Sequence, residues 1–158
     1  MTATDQRIIV LAVNNSKHSE NALNWIVSNV LSENDIVHLL TVITPPNEPA
    51  YYLDTNASRH AREYIEDLKN GAVKEAKELL SKFQKFINAG LECKVEGHVA
   101  FGDRREQVVE YSRTHKCDLL VLGSRGLGTF KRHLLGSVSN YCMHHAHCPV
   151  LLIKNEKK

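Results

Sequence analysis

Short apolar runs rich in β-branched residues alternate with longer segments whose apolar positions recur at helical spacing, and this alternation dictates the class of fold. Residues 8–13 are a nearly continuous apolar run, the signature of a strand buried on both faces. Asn14 and Asn15 turn the chain. From Ser19, placed to cap a helix, Ala22, Leu23, Ile26, Val27 and Val30 follow at helical spacing. A second apolar run over 36–43 stops at Pro45, Pro46 and Pro49, which forbid continued regular structure, and a loop extends to about Thr55.

Residues 58–87 form a long amphipathic segment with Ala61, Ile65, Leu68, Ala72, Ala76, Leu79, Leu80, Phe83 and Ile87 on one stripe. Its other face is mostly Lys and Glu, so it reads as a helix covering the core, with Gly90 at its C-terminal stop. Alternation over 93–99 predicts a third strand, more polar on one face and near a sheet edge. Asp103 and Glu106 have capping-box spacing ahead of a helix with Val108, Val109 and Tyr111 on its apolar side. Residues 119–122 are a fourth strand. A last helix follows from Ser137 to about His147, then a strand of Val150, Leu151, Leu152 and Ile153 opened by Pro149.

The order βαβαβαβαβ predicts an α/β fold: a single doubly wound layer sandwich on a five-stranded, mainly parallel sheet with helices on both faces. At 158 residues the chain is one domain, with its core over about 8–154. A net charge of +2 is too balanced for a nucleic-acid binder, and no apolar run approaches the ~18 residues of a membrane span. The N-terminus lacks the basic and apolar regions of an export signal, so a cytoplasmic location is expected. Cys93, Cys117, Cys142 and Cys148 include no Cys-x-x-Cys pair and read as small apolar residues.

Glycines gather after the fourth strand, in Gly123-Ser124-Arg125-Gly126-Leu127-Gly128, and Gly136-Ser137-Val138-Ser139 opens the last helix. Glycine at a strand end lets backbone approach a ligand, and exposed N–H groups at a helix start make an anion site. The plainer reading is that these glycines make turns. Neither a Walker A loop nor a dinucleotide fingerprint is present, since Lys131 stands where a third glycine would be.

Gly123, Gly126, Gly136 and Ser137 have the spacing Gly-x2-Gly-x9-Gly-Ser. With Cys148-Pro149 before the last strand, the chain resembles the nucleotide-binding members of the universal stress protein family over nearly its whole length. The resemblance implies an adenine nucleotide, ATP or AMP, which Mg²⁺ or Mn²⁺ could accompany. Gly123 and Arg125 would lie along the ribose, and Gly126 would admit the phosphates. Gly136, Ser137, Val138 and Ser139 would hydrogen-bond the phosphate chain. The backbone of Val42 would read the adenine edge, while Ala12, Val13 and Asn14 would flank base and sugar. The family commonly has Asp at the position of Asn14. An amide lacks the carboxylate's charge, which disfavours a bound cation and removes a general base.

The resemblance therefore implies a stress-response binding or sensing module with no assigned catalytic residue and at most weak ATP hydrolysis. It also implies a homodimer through the last strand. A nucleotide-free dimeric scaffold and a slow ATPase are the competing readings, and the signalling partner is unspecified. Two side features remain. Arg104, Arg105, Arg113, Lys116, Arg125, Lys131 and Arg132 against three carboxylates give a local excess of four positive charges, either a phosphate-attracting rim or solvated faces. Cys142, His144, His145, His147 and Cys148 are ligand types without the spacing of a metal site, and none is assigned.

Overall fold

The computed structural model describes residues 6–45, 58–124 and 136–154. Five strands, β1 (Ile8–Ala12), β2 (Ile36–Ile43), β3 (Lys94–Phe101), β4 (Leu119–Ser124) and β5 (Val150–Lys154), form one sheet in the order β3-β2-β1-β4-β5. Every pairing is parallel, with Ile8 opposite Ile36, Ile9 opposite Leu119, Ile36 opposite Lys94 and Leu120 opposite Val150. Parallel strands need crossovers, and four helices supply them: α1 (Lys17–Asn29), α2 (Ser58–Gly90), α3 (Arg104–Thr114) and α4 (Ser137–His145).

The sheet divides the core in two. On one face Ile9, Leu11, Val37, Leu39 and Val121 pack with Ala22 and Ile26 of α1 and Leu80, Phe83 and Ile87 of α2. On the other, Val10, Leu40, Leu120 and Leu122 pack with Val108 of α3 and Cys142 of α4. Alternate residues of β1 thus enter opposite layers, which explains its uninterrupted apolar run. The winding reverses between β1 and β4, so their carboxyl ends diverge into a crevice.

Several sequence expectations need correction. Ser16, not Ser19, caps α1, its hydroxyl accepting the Ser19 N–H at 3.3 Å. The first turn, Lys17 and His18, is polar, so the apolar periodicity begins later than the helix does. The apolar stripe of α2 covers the core only in its second half, where Ala76, Leu80, Phe83 and Ile87 are buried. In the first half Tyr64 is 65% and Leu68 45% exposed. α4 ends at His145, which takes Cys148 off the helix and away from any shared face with His144. Cys142 is fully buried while His144, His145 and His147 are exposed, so these ligand types do not converge.

Candidate functional site

Ala12, Val13 and Asn14 at the end of β1, Val42 near the end of β2, and Gly136, Ser137, Val138 and Ser139 at the start of α4 line one cleft of about 460 Å³. Its volume is that of a small-molecule site, at the sheet position where doubly wound folds bind ligands. Arg125, Gly126 and the cationic Lys131 and Arg132 lie outside the described residues, as does most of the proline loop.

Each wall has a local cause. The last rung between β1 and β2 is the Val13 N–H donating to Leu40 O at 2.8 Å. Strand residues alternate the side to which their backbone points, so Val42 directs its N–H and carbonyl past that rung toward the cleft. Asn14 turns the chain from β1 into α1. Its backbone N–H donates to Ser19 Oγ at 2.9 Å, so Ser19 must donate its own hydrogen to Asn14 Oδ1, also at 2.9 Å. The Ser16 hydroxyl donates to the same oxygen. These bonds assign the amide orientation and leave Nδ2, a donor only, for a ligand.

α4 starts at Gly136, which has no side-chain cap. The first-turn N–H groups of an uncapped helix carry the positive end of its dipole. Gly136 adopts an ordinary φ of −55°, and an added Cβ would meet none of the described residues within 4 Å. Neither the backbone conformation nor packing against the described residues demands glycine there. Gly123 differs. An added Cβ would sit 2.5 Å from the His18 carbonyl oxygen, so this glycine admits the α1 backbone onto β4.

Sequence reasoning missed Asp103 and Thr44 as lining residues, and placed Arg104 and Arg105 only in a general basic rim. Asp103 caps α3, accepting the Arg105 N–H at 2.9 Å and the Glu106 N–H at 3.3 Å. Its carboxylate also takes two 3.1 Å bonds from the Arg105 guanidinium. That guanidinium, with the helix N–H donors, holds the Asp103 carboxyl down at about 2. It is the one carboxylate among the cleft's described lining residues, and its oxygens are committed. The site offers donors and guanidinium charge, suited to an anionic ligand, with little provision for a cation.

The fold and cleft together define a doubly wound α/β protein with a cleft of small-molecule size at the β1/β4 switch point. The chain belongs to the universal stress protein family, whose model matches residues 6–154. It is 29% identical to a universal stress protein A-like protein of Arabidopsis thaliana over 98% of this chain and 88% of that protein. A universal stress protein family structure from Arabidopsis thaliana, with AMP bound, superposes with a TM-score of 0.67 at 22% identity, covering 95% of this chain and 92% of that one. The universal stress protein from Archaeoglobus fulgidus in complex with dAMP gives a TM-score of 0.61 at 18% identity, covering 94% and 98%.

Proposed function

We propose that this chain binds an adenine nucleotide, AMP or ATP, in the β1/β4 cleft and acts as a binding and sensing module in stress response. The observation that carries this reading is the helix start at Gly136, without a side-chain cap, which shares one cleft with Asn14 and Val42. The two related structures determined with AMP and dAMP add support from the family. In this reading the Val42 backbone reads the adenine edge, and Ala12, Val13 and Asn14 flank base and sugar. The N–H groups of Ser137, Val138 and Ser139 hold phosphate, with Arg104 and Arg105 adding positive potential. Arg125 and Gly126 would complete the ribose and phosphate side, while Gly123, which packs on α1 and is not among the cleft's lining residues, would set the strand end that leads to them.

Binding is favoured over hydrolysis. Asn14 carries no charge, and Asp103 is tied to Arg105 and the start of α3, so the described cleft contains no carboxylate placed as a general base. Mg²⁺ or Mn²⁺, where it accompanies ATP, would be held by the phosphates more than by protein. Native mass spectrometry of the purified chain, followed by calorimetry with AMP and ATP, tests the reading. One nucleotide per chain is expected. A chain that purifies empty and ignores both nucleotides would favour the dimeric scaffold.

A further inference from the structure

Away from the cleft, five polar side chains meet on the α3 side of the sheet. His38 lies on β2, Glu96 and His98 on β3, Tyr111 on α3, and His115 caps the carboxyl end of α3. The register sets His38 beside Glu96 and Leu40 beside His98. Strand alternation then sends His38, Glu96 and His98 to one face. His38 is four residues before Val42, or about 13 Å along the strand from that residue.

We propose that His38, Glu96 and His98 bind one divalent transition-metal ion of the zinc type, with the fourth coordination position left to water. Glu96 Oε2 lies 3.3 Å from His98 Nε2 and 3.7 Å from His38 Nε2, and one ligand atom from each residue falls within 4.8 Å of the others. Donors about 2.0–2.1 Å from a tetrahedral ion lie roughly 3.4 Å apart, so the set is already near ligand spacing. Two imidazoles and a carboxylate are a donor set suited to zinc.

The orientation of each ligand supports this assignment. His98 Nε2 is shielded from solvent and, among the described residues, has no well-aligned hydrogen-bond partner, although Glu96 Oε2 lies 3.3 Å away. A buried imidazole nitrogen left this way costs free energy that a metal bond would recover. His38 has its Nδ1 3.1 Å from the Tyr111 hydroxyl, which leaves Nε2 for the ion. Such outer partners fix the ring and tautomer of a metal-binding histidine. Glu96 gives Oε1 to Lys94 at 2.7 Å and keeps Oε2 turned to the rings. The Lys94 charge opposes a cation, while the carbonyl end of α3 favours one. His115 donates Nδ1–H to Tyr111 O at 2.9 Å, which selects the Nδ1–H tautomer of the neutral ring. Its ring centroid is 5.5 Å from that of His38. The side chains of His98 and Glu96 are 30% and 36% exposed, so an ion has an entry route.

The test uses the full chain stripped with chelator. Zn²⁺ is titrated against a competing indicator, and Co²⁺ is then added as a spectroscopic probe. One equivalent should bind, and affinity should fall at least about tenfold in Glu96→Gln and in His98→Gln. The Co²⁺ spectrum should show visible d–d bands without thiolate charge transfer. Absence of binding, or affinity unchanged in both variants, overturns the proposal. Thiolate charge transfer also overturns it, placing the ion on the cysteines. Imidazole ¹⁵N spectra of the wild type give a readout independent of variant folding. Zn²⁺ should shift His38 and His98 Nε2, and movement confined to His144, His145 and His147 would sink the idea.

Discussion

Ser19 donates its hydroxyl to Asn14 Oδ1 across 2.9 Å while accepting the Asn14 backbone N–H at the same distance. This reciprocal pair closes the turn from β1 into α1 and uses the half of the amide that resembles a carboxylate. Asn14→Asp would keep both bonds and exchange Nδ2 for an anionic oxygen at the cleft. ATP binding by the variant should strengthen with Mg²⁺ by about 1.5 kcal/mol, the scale of a charge-assisted contact, while the wild type responds little. Phosphate release should rise in parallel. Calorimetry with and without Mg²⁺ checks the first expectation, and equal Mg²⁺ responses would remove Asn14 from the site.

Gly123 and Gly136 belong to one motif but answer to different constraints. A Cβ at Gly123 would collide with the His18 carbonyl, and backbone must shift to admit it. Gly123→Ala should therefore cost about 2 kcal/mol, lowering Tm by roughly 4–8 °C. A Cβ added at Gly136 meets none of the described residues, so Gly136→Val should change stability by less than about 1 kcal/mol. That variant should nevertheless lose AMP and ATP binding, because its side chain occupies the approach to the α4 N-terminus. Thermal melts paired with calorimetry separate the two effects. Full nucleotide affinity in Gly136→Val would place the phosphates elsewhere.

Much of this architecture was legible because β1 and the centre of β2 are buried on both faces and so appear as unbroken apolar runs. β4 extends through Gly123 and Ser124, which composition gave no reason to include. The glycine spacing pointed to Gly136, but only the packing of α1 on β4 separates it from Gly123, which is pressed by the His18 carbonyl. Asp103 was readable as a helix cap, and its second position on the cleft depends on how α3 packs. The His38, Glu96 and His98 cluster has no sequence signal, because it comes from the β2–β3 register and the approach of α3. The first half of α2 shows the opposite error, a helical stripe that continues beyond the core it covers.

Asp35 is buried and accepts Arg7 Nε at 2.8 Å, Arg7 Nη2 at 2.7 Å and the Ser32 N–H at 2.7 Å. Burial alone would raise its pKa, but these donors prevail and the carboxyl is lowered. A lowered folded pKa means that the unfolded chain binds the proton more readily. The pair's stabilisation is therefore complete above the unfolded value of about 3.9 and disappears as pH falls through the lower folded value. Arg7→Met should cost about 2 kcal/mol at neutral pH, less than for a fully buried pair because Arg7 is half-exposed. Acid unfolding should begin at higher pH in that variant. Denaturant melts from pH 3 to pH 7 check this, and superimposable profiles would remove the pair from the stability of the fold.

β5 lies at the sheet edge and pairs only with β4, which leaves one row of its backbone groups open among the described residues. Leu151 and Leu152 are only partly buried in the single chain, although both pack against the core. An apolar edge strand invites pairing with a second copy, and two parallel-sheet units can join there about a two-fold axis. The homodimer that the family resemblance implies would form at this edge. Leu152→Lys should then convert dimer to monomer in sedimentation velocity, since each copy would bring a charge to the paired apolar edge. Trp25, 43% exposed beside Leu151 and Ile153 in the groove between α1 and β5, should report the change by its emission. A variant that keeps the wild-type dimer at the same concentration would assign assembly to another surface. A wild type that is monomeric throughout would remove the homodimer altogether while leaving the nucleotide cleft, built within one chain, unaffected.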